Sequence, residues 1–122
     1  MSVSVFSNWF GNTILQQWFL DNDAYLSLHT YAPGVLGDAG SEVAGGGYSR
    51  QLVEFTAPGS KMIGNAAKVV FNNMPGCTVT HYGFWTAVSG GNFLLPITRD
   101  TPLVVVANQE LHLPISDLVL QL

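Results

Sequence analysis

At 122 residues the chain has the length of one domain, enough to bury a self-sufficient core. Only 10% of its residues are charged and 48% are hydrophobic, where an ordinary soluble domain carries roughly 25% charge. The four cations, Arg50, Lys61, Lys68 and Arg99, are scattered within a net charge of −4, which excludes a basic stripe for nucleic acid.

No apolar run approaches the roughly 18 residues of a membrane-spanning helix, so no membrane insertion is expected. A surface this poor in charge fits a protein that hides part of it against neighbours. The N-terminus has no basic stretch ahead of an apolar one, so no secretory signal is expected and synthesis belongs in a cytoplasm.

Residues 1–6 alternate as a short arm or strand. Ser7 or Asn12 can cap a helix, and Phe10, Ile14 and Trp18 follow at i, i+4 and i+8, with Leu15 and Phe19 on the adjoining stripe. The spacing predicts a short amphipathic helix over residues 10–20, ended by Asp21, Asn22 and Asp23. Such a helix either plugs a β core or docks on a partner subunit. The chain thus divides into an N-terminal arm and helix, residues 1–23, and a β-sandwich, residues 24–122, within a single domain overall.

From residue 24 the pattern becomes strand-like. Ala24, Leu26 and Leu28 face inward, and His29 falls on the opposite, solvated face. Residues 32–47 form a long Gly-rich loop that ends in Gly45, Gly46 and Gly47. The triplet opens an alternating strand over 48–55, with Tyr48, Arg50, Leu52 and Glu54 on one face. Further strands are predicted over 66–71, 77–86, 93–98, 102–107, 110–115 and 117–122, with turns at 57–60, 72–76 and 89–92. Pro96 marks an edge strand or a bulge. About eight short strands at regular spacing predict an all-β fold, an antiparallel β-sandwich of jelly-roll or Greek-key type with one short N-terminal amphipathic helix.

No chemical constellation stands out. His29, His81 and His112 lack metal-ligand spacing, and the carboxylates fall mostly in turns and at strand ends. The glycine triplet opens a strand and lacks the Gly-Lys-Ser/Thr ending of a phosphate loop. Cys77 cannot form an intrachain disulfide and reads as a small buried apolar residue. No catalytic residue, cofactor or metal is expected. Arg50 either pairs locally with Glu54 or anchors a neighbouring subunit. The triplet is either a plain turn or a close backbone approach to a neighbouring subunit. Trp9, Trp18 and Trp85 read as core packing, with a sugar-stacking platform as the alternative.

Three segments carry a family resemblance: residues 25–30 (Tyr-Leu-Ser-Leu-His-Thr), residues 42–51 (Glu-Val-Ala-Gly-Gly-Gly-Tyr-Ser-Arg-Gln) and residues 79–85 (Val-Thr-His-Tyr-Gly-Phe-Trp). With them the chain resembles small tailed-bacteriophage structural proteins often labelled phage tail-fibre-like, from the N-terminal helix to the C-terminus. The resemblance implies a virion structural protein. The favoured expectation is a capsid decoration, or cement, protein. It would bind the phage major capsid protein on the head surface as a homotrimer. Candidate subunit-interface residues are Trp18, Glu42, Gly45, Gly46, Gly47, Tyr48, Arg50, Leu120 and Leu122. The alternative is a tail- or head-fibre-associated module that binds a host surface glycan or receptor through Tyr82 and Trp85. A tail-tube or connector component is a third option.

Overall fold

The computed structural model describes residues 4–122, so the first half of the expected arm, residues 1–3, lies outside the described residues. Residues 4–7 are exposed and take no regular structure. Helix α1 spans Asn8–Leu15, and the Ser7 hydroxyl caps it by accepting from the Phe10 N–H at 3.1 Å. Asn12 has a different use: its side-chain oxygen accepts from the Lys61 N–H at 2.8 Å and ties the helix to the sandwich. The helix continues as a π-turn, Gln16–Leu20.

The helix faces the core with Gly11, Leu15 and Phe19, not with Phe10, Ile14 and Trp18. It is therefore turned by one residue, about 100°, from the stripe that aromatic content favours. Gly11 explains the choice, because a Cβ there would lie 2.5 Å from Lys61 Cγ; only glycine lets α1 come this close. Phe19 then reaches the core and meets Phe55 and Phe84 edge-on at 5.5 and 5.7 Å between centroids.

Eight strands follow: β1 (Tyr25–His29), β2 (Gln51–Leu52), β3 (Met62–Gly64), β4 (Val69–Met74), β5 (Cys77–Trp85), β6 (Phe93–Val105), β7 (Gln109–Leu113) and β8 (Val119–Gln121). The main sheet has the order β2-β1-β5-β6, and β3 pairs with β8 and β4 with β7 in two smaller ladders. Every pairing is antiparallel. The fold is the all-β antiparallel sandwich that the alternation predicts, with one short N-terminal helix. Leu26, Leu28, Phe71, Val79, Phe84, Leu113 and Leu120 fill its core together with Leu15 and Phe19.

Several boundaries differ from the sequence reading. The strand expected over 48–55 shrinks to Gln51–Leu52, because Tyr48 and Arg50 enter a side-chain network instead of a ladder. The strand expected over 66–71 runs from 69 to 74, and Met62–Gly64 is an additional short strand. The strands expected over 93–98 and 102–107 are one, β6, with a large bulge. Thr98 pairs with His81 and Leu103 with Val79, so residues 99–102 oppose Thr80 alone. Arg99 holds the bulge by donating from Nε to the Thr101 carbonyl at 2.9 Å. Pro96 lies on this edge strand, as its missing N–H requires.

His29 corrects a further expectation. It is fully buried, 0% exposed, although strict alternation places it on a solvated face. Strand β1 runs between β2 and β5; the end of the 32–47 loop extends its β2 edge through an antiparallel bridge of His29 with Glu42, and the side chains of Ser41 and Trp85 close the face that alternation leaves to solvent. The Thr30 N–H donates to the Ser41 carbonyl at 2.9 Å and the Val43 N–H to the Leu28 carbonyl at 2.8 Å.

Candidate functional site

The segments that carry the family resemblance meet around Glu42, Tyr48, Arg50 and Trp85. Arg50 donates to both oxygens of Glu42, from Nε to Oε2 and from Nη2 to Oε1, each at 3.0 Å. Its Nη1 donates to the carbonyls of Ala87 and Gly90 at 3.1 and 2.9 Å. Its flat face covers the Trp85 ring, with the guanidinium carbon 3.9 Å from the centroid. The Tyr48 hydroxyl donates to Glu42 Oε2 at 2.7 Å and accepts from the Leu28 N–H at 3.0 Å. Arg50 thus pairs with Glu42, not with Glu54. Burial alone would raise the Glu42 pKa, but hydrogen bonds from Arg50 and Tyr48, with the charge of Arg50, hold it below the usual carboxylate value. Burial, with Glu42 as acceptor, pushes the Tyr48 hydroxyl up.

A second network lies beneath the first. Trp85 Nε1 donates to Ser27 Oγ at 2.8 Å, and Ser27 Oγ lies 2.6 Å from His29 Nε2. On the other side of the ring, Nδ1 lies 2.7 Å from Ser41 Oγ, which donates to the Asp38 carbonyl at 2.7 Å. A hydroxyl has one hydrogen. Ser41 gives its own to Asp38, so it accepts from His29 Nδ1–H, and His29 Nε2 accepts from Ser27. The chain of donors therefore runs from Trp85 to Asp38 through a neutral imidazole. Burial lowers the His29 pKa to about 4, with Arg50 and His81 adding to the effect and Glu42 opposing it. A serine beside a histidine is the pair that acyl transfer uses. Here Ser27, His29 and Ser41 are all 0% exposed, and the hydrogen bonds join β5 to β1 through Trp85 and Ser27 and sheet to loop through His29 and Ser41.

The glycine triplet makes its close approach within the chain. Gly47 donates to the Asn73 carbonyl at 2.7 Å, and a Cβ on Gly46 would lie 2.8 Å from that oxygen. Gly45 and Gly46 both have positive φ, +101° and +55°. Leu120 is buried in the core opposite Ile63. Tyr82 and Trp85, the expected ligand-binding pair, are buried at 3% and 7% exposure. Arg99 donates to the Tyr82 hydroxyl from the β6 bulge, and Arg50 occupies the Trp85 face. Cys77 is partly buried, which raises its thiol pKa and keeps the thiol protonated.

Trp18 and Leu122 are placed differently. With Phe6, Ile14, Leu94 and Leu95 they line an apolar groove of about 390 Å³ between the outer side of the helix and the start of β6. Phe6 packs edge-on against Phe10 at 5.3 Å, which extends the surface toward the N-terminus. Sequence reasoning finds Trp18 and Leu122 but misses Phe6, Leu94 and Leu95, which only the tertiary fold brings together. The core-packing expectation holds for Trp85 and fails for Trp9 and Trp18, which are exposed on the outer side of the helix.

Over residues 6–121 the chain matches the family described as Podophage GP4 fiber I protein gp80. The chain belongs to this family of phage fibre structural proteins. A search among curated proteins finds no match. The three resemblance segments fall within the matched span of the fibre family, and so do the networks that join them. Among the described residues, no group of three or more His, Cys, Asp or Glu side chains is arranged to hold a metal ion. No helix among them is long and apolar enough to cross a membrane.

Proposed function

We propose that this fibre-family chain is a non-enzymatic assembly module of a podophage virion. It works as a homo-oligomer whose copies meet through the apolar surface of Phe6, Phe10, Trp18, Leu94, Leu95 and Leu122. The observation that carries the reading is the division of labour between the two helix stripes. Gly11, Leu15 and Phe19 complete the protomer's own core, while Phe10 and Trp18 remain in solvent beside an apolar groove. Covering one such side chain stabilises an assembly by roughly 1.5–3 kcal/mol, and many copies multiply the effect. The charge-poor composition supports the same reading, because a surface meant to be covered gains nothing from charge.

Two placements on the virion fit such a module. One is the fibre apparatus, which the family description supports. The other is capsid decoration, a trimer seated on the major capsid protein, where anything that binds only the assembled shell stabilises it. We favour the fibre placement.

Gold-conjugated antibody on intact virions separates them. Gold confined to fibres or tail is the expected result. Gold spread over the head in many copies overturns the fibre placement and establishes decoration. Virions free of gold overturn both.

A further inference from the structure

Trp9 is the most exposed tryptophan of the chain, 74% exposed, and it adds nothing to the core. It stands over an open depression of about 450 Å³ walled by Asn12, Thr13, Gln16, Gln17, Asp21 and Pro58. This shelf lies apart from the apolar groove and shares no lining residue with it. Its chemistry is one exposed indole beside one hydroxyl, three amides, one carboxylate and a proline ring, with no cation among them.

The π-turn builds the polar floor. A π-turn joins residues five apart; such turns are rare and frequently lie at functional sites. Here the Asp21 N–H donates to the Gln16 carbonyl at 2.8 Å. The same offset brings the side chains together: Gln16 Nε2 donates to Asp21 Oδ1 at 2.8 Å, and Asn22 Nδ2 donates to the Gln17 carbonyl at 2.6 Å. In a plain α-turn, side chains meet at offsets of three and four. The pairing of Gln16 with Asp21 is therefore a product of the π-turn. It leaves Gln16 Oε1 and Asp21 Oδ2 as neighbouring acceptors. Asn12 is fixed too: its oxygen accepts from the Lys61 N–H, which leaves its NH₂ as a donor.

We propose that the Trp9 shelf binds a neutral saccharide. The apolar C–H face of a pyranose ring covers the indole, and its vicinal hydroxyls bridge Gln16, Gln17, Asp21 and Asn12. Adjacent acceptors and donors, held by bonds that do not involve the ligand, match adjacent hydroxyls that each donate and accept. The absence of Lys and Arg from the wall disfavours phosphate and acidic sugars, and Asp21 repels them. The polar floor disfavours an apolar peptide. The site is independent of how the copies assemble, because it uses the opposite flank of the helix from Trp18.

Nitrogen-labelled full-length protein gives three indole N–H signals, one per tryptophan, and Trp9→Phe assigns that of Trp9. Titration with millimolar cellotetraose, maltotetraose and lactose is expected to move the Trp9 signal with at least one of them and leave that of Trp85 in place. Trp9→Ala should weaken that binding at least about tenfold, and Asp21→Asn several-fold, with the unfolding midpoint of both unchanged. A Trp9 signal unmoved by all three sugars overturns the proposal. So does binding that survives Trp9→Ala. A Trp9 signal that moves with protein concentration alone assigns the shelf to an interface between copies and also overturns it.

Discussion

The guanidinium carbon of Arg50 lies 3.9 Å from the centroid of the Trp85 ring, and the same guanidinium grips both oxygens of Glu42. One cation thereby joins the end of the glycine-rich loop, the last residue of β5 and the 87–90 turn, through the carbonyls of Ala87 and Gly90. Trp85 is sealed by this charge together with the Phe93 ring, 4.9 Å away between centroids. The charge is tolerated because its own donors are satisfied within the chain, as a buried ion pair requires.

Arg50→Ala leaves Glu42 as an uncompensated carboxylate whose side chain is only 15% exposed. The expected loss of stability is about 3–5 kcal/mol, read as a lower urea midpoint at unchanged slope. Arg50→Lys keeps the charge but loses the planar fork, and should recover only part of the loss. The double variant Glu42→Ala, Arg50→Ala should cost less than the two single variants added together. Strict additivity would show that the pair does not couple.

Acid should loosen the same region in two steps. Folded His29 titrates near 4 against 6.5 for an ordinary histidine, so between these values the unfolded chain binds the extra proton. Stability is therefore complete above pH 6.5 and falls as pH drops toward 4, by about 3 kcal/mol. Glu42 has a lowered pKa, so its contribution is present above the unfolded carboxylate value and is lost at still lower pH. Urea midpoints measured from pH 7.5 to 4 should slope downward in the wild type. They should be flatter in His29→Gln, which has no titrating ring. Equal slopes in the two proteins would remove His29 as the source.

The position of His29 shows where sequence reasoning stops. Alternation reads one face of a strand against solvent, but β1 is covered on both faces, by the core and by the side chains of Trp85 and of Ser41 from the loop. Four consecutive buried residues in β1 follow from a loop that no periodicity describes. A signal was present in the partner strand. Gly83 interrupts the strongest alternating run, and a Cβ there would lie 2.7 Å from Ser27 Oγ and 2.9 Å from His29 Nε2. A glycine inside a strand marks a close approach, and here the approach is that of the buried serine and histidine. The second half of β5 and the inward Leu26 and Leu28 were legible because residues 25–29 and 81–85 pair without a break. The pairing of Arg50 with Glu42 was not, because it depends on the path of the loop between them.

The glycine turn offers a test with an internal control. Gly46→Ala must hold a positive φ of +55° and place a Cβ 2.8 Å from the Asn73 carbonyl oxygen, a backbone atom with little room to shift. The conformational strain alone costs about 1–2 kcal/mol, and the clash adds to it. Gly59→Ala meets no atom within 4 Å and has no positive φ, so it should be neutral or slightly stabilising. Thermal midpoints of the two variants should separate clearly. A Gly46→Ala midpoint equal to that of Gly59→Ala would mean that the approach to residues 73–75 is looser than the structure shows.

The two stripes of the helix make the sharpest prediction about assembly. Leu15 is fully buried, and Leu15→Ala should cost about 2–5 kcal/mol of protomer stability through the cavity it leaves. Trp18 is 42% exposed, so Trp18→Ser should cost the isolated protomer much less. If copies meet over the groove, the ranking reverses for association. Trp18→Ser, alone or with Leu94→Ser, should shift sedimentation toward the monomer by at least about tenfold in dissociation constant, since a buried aromatic anchor carries a large share of interface energy. Leu15→Ala should associate normally wherever it remains folded. A Trp18→Ser protein that sediments as the wild type would place the interface between copies on another face of the sandwich.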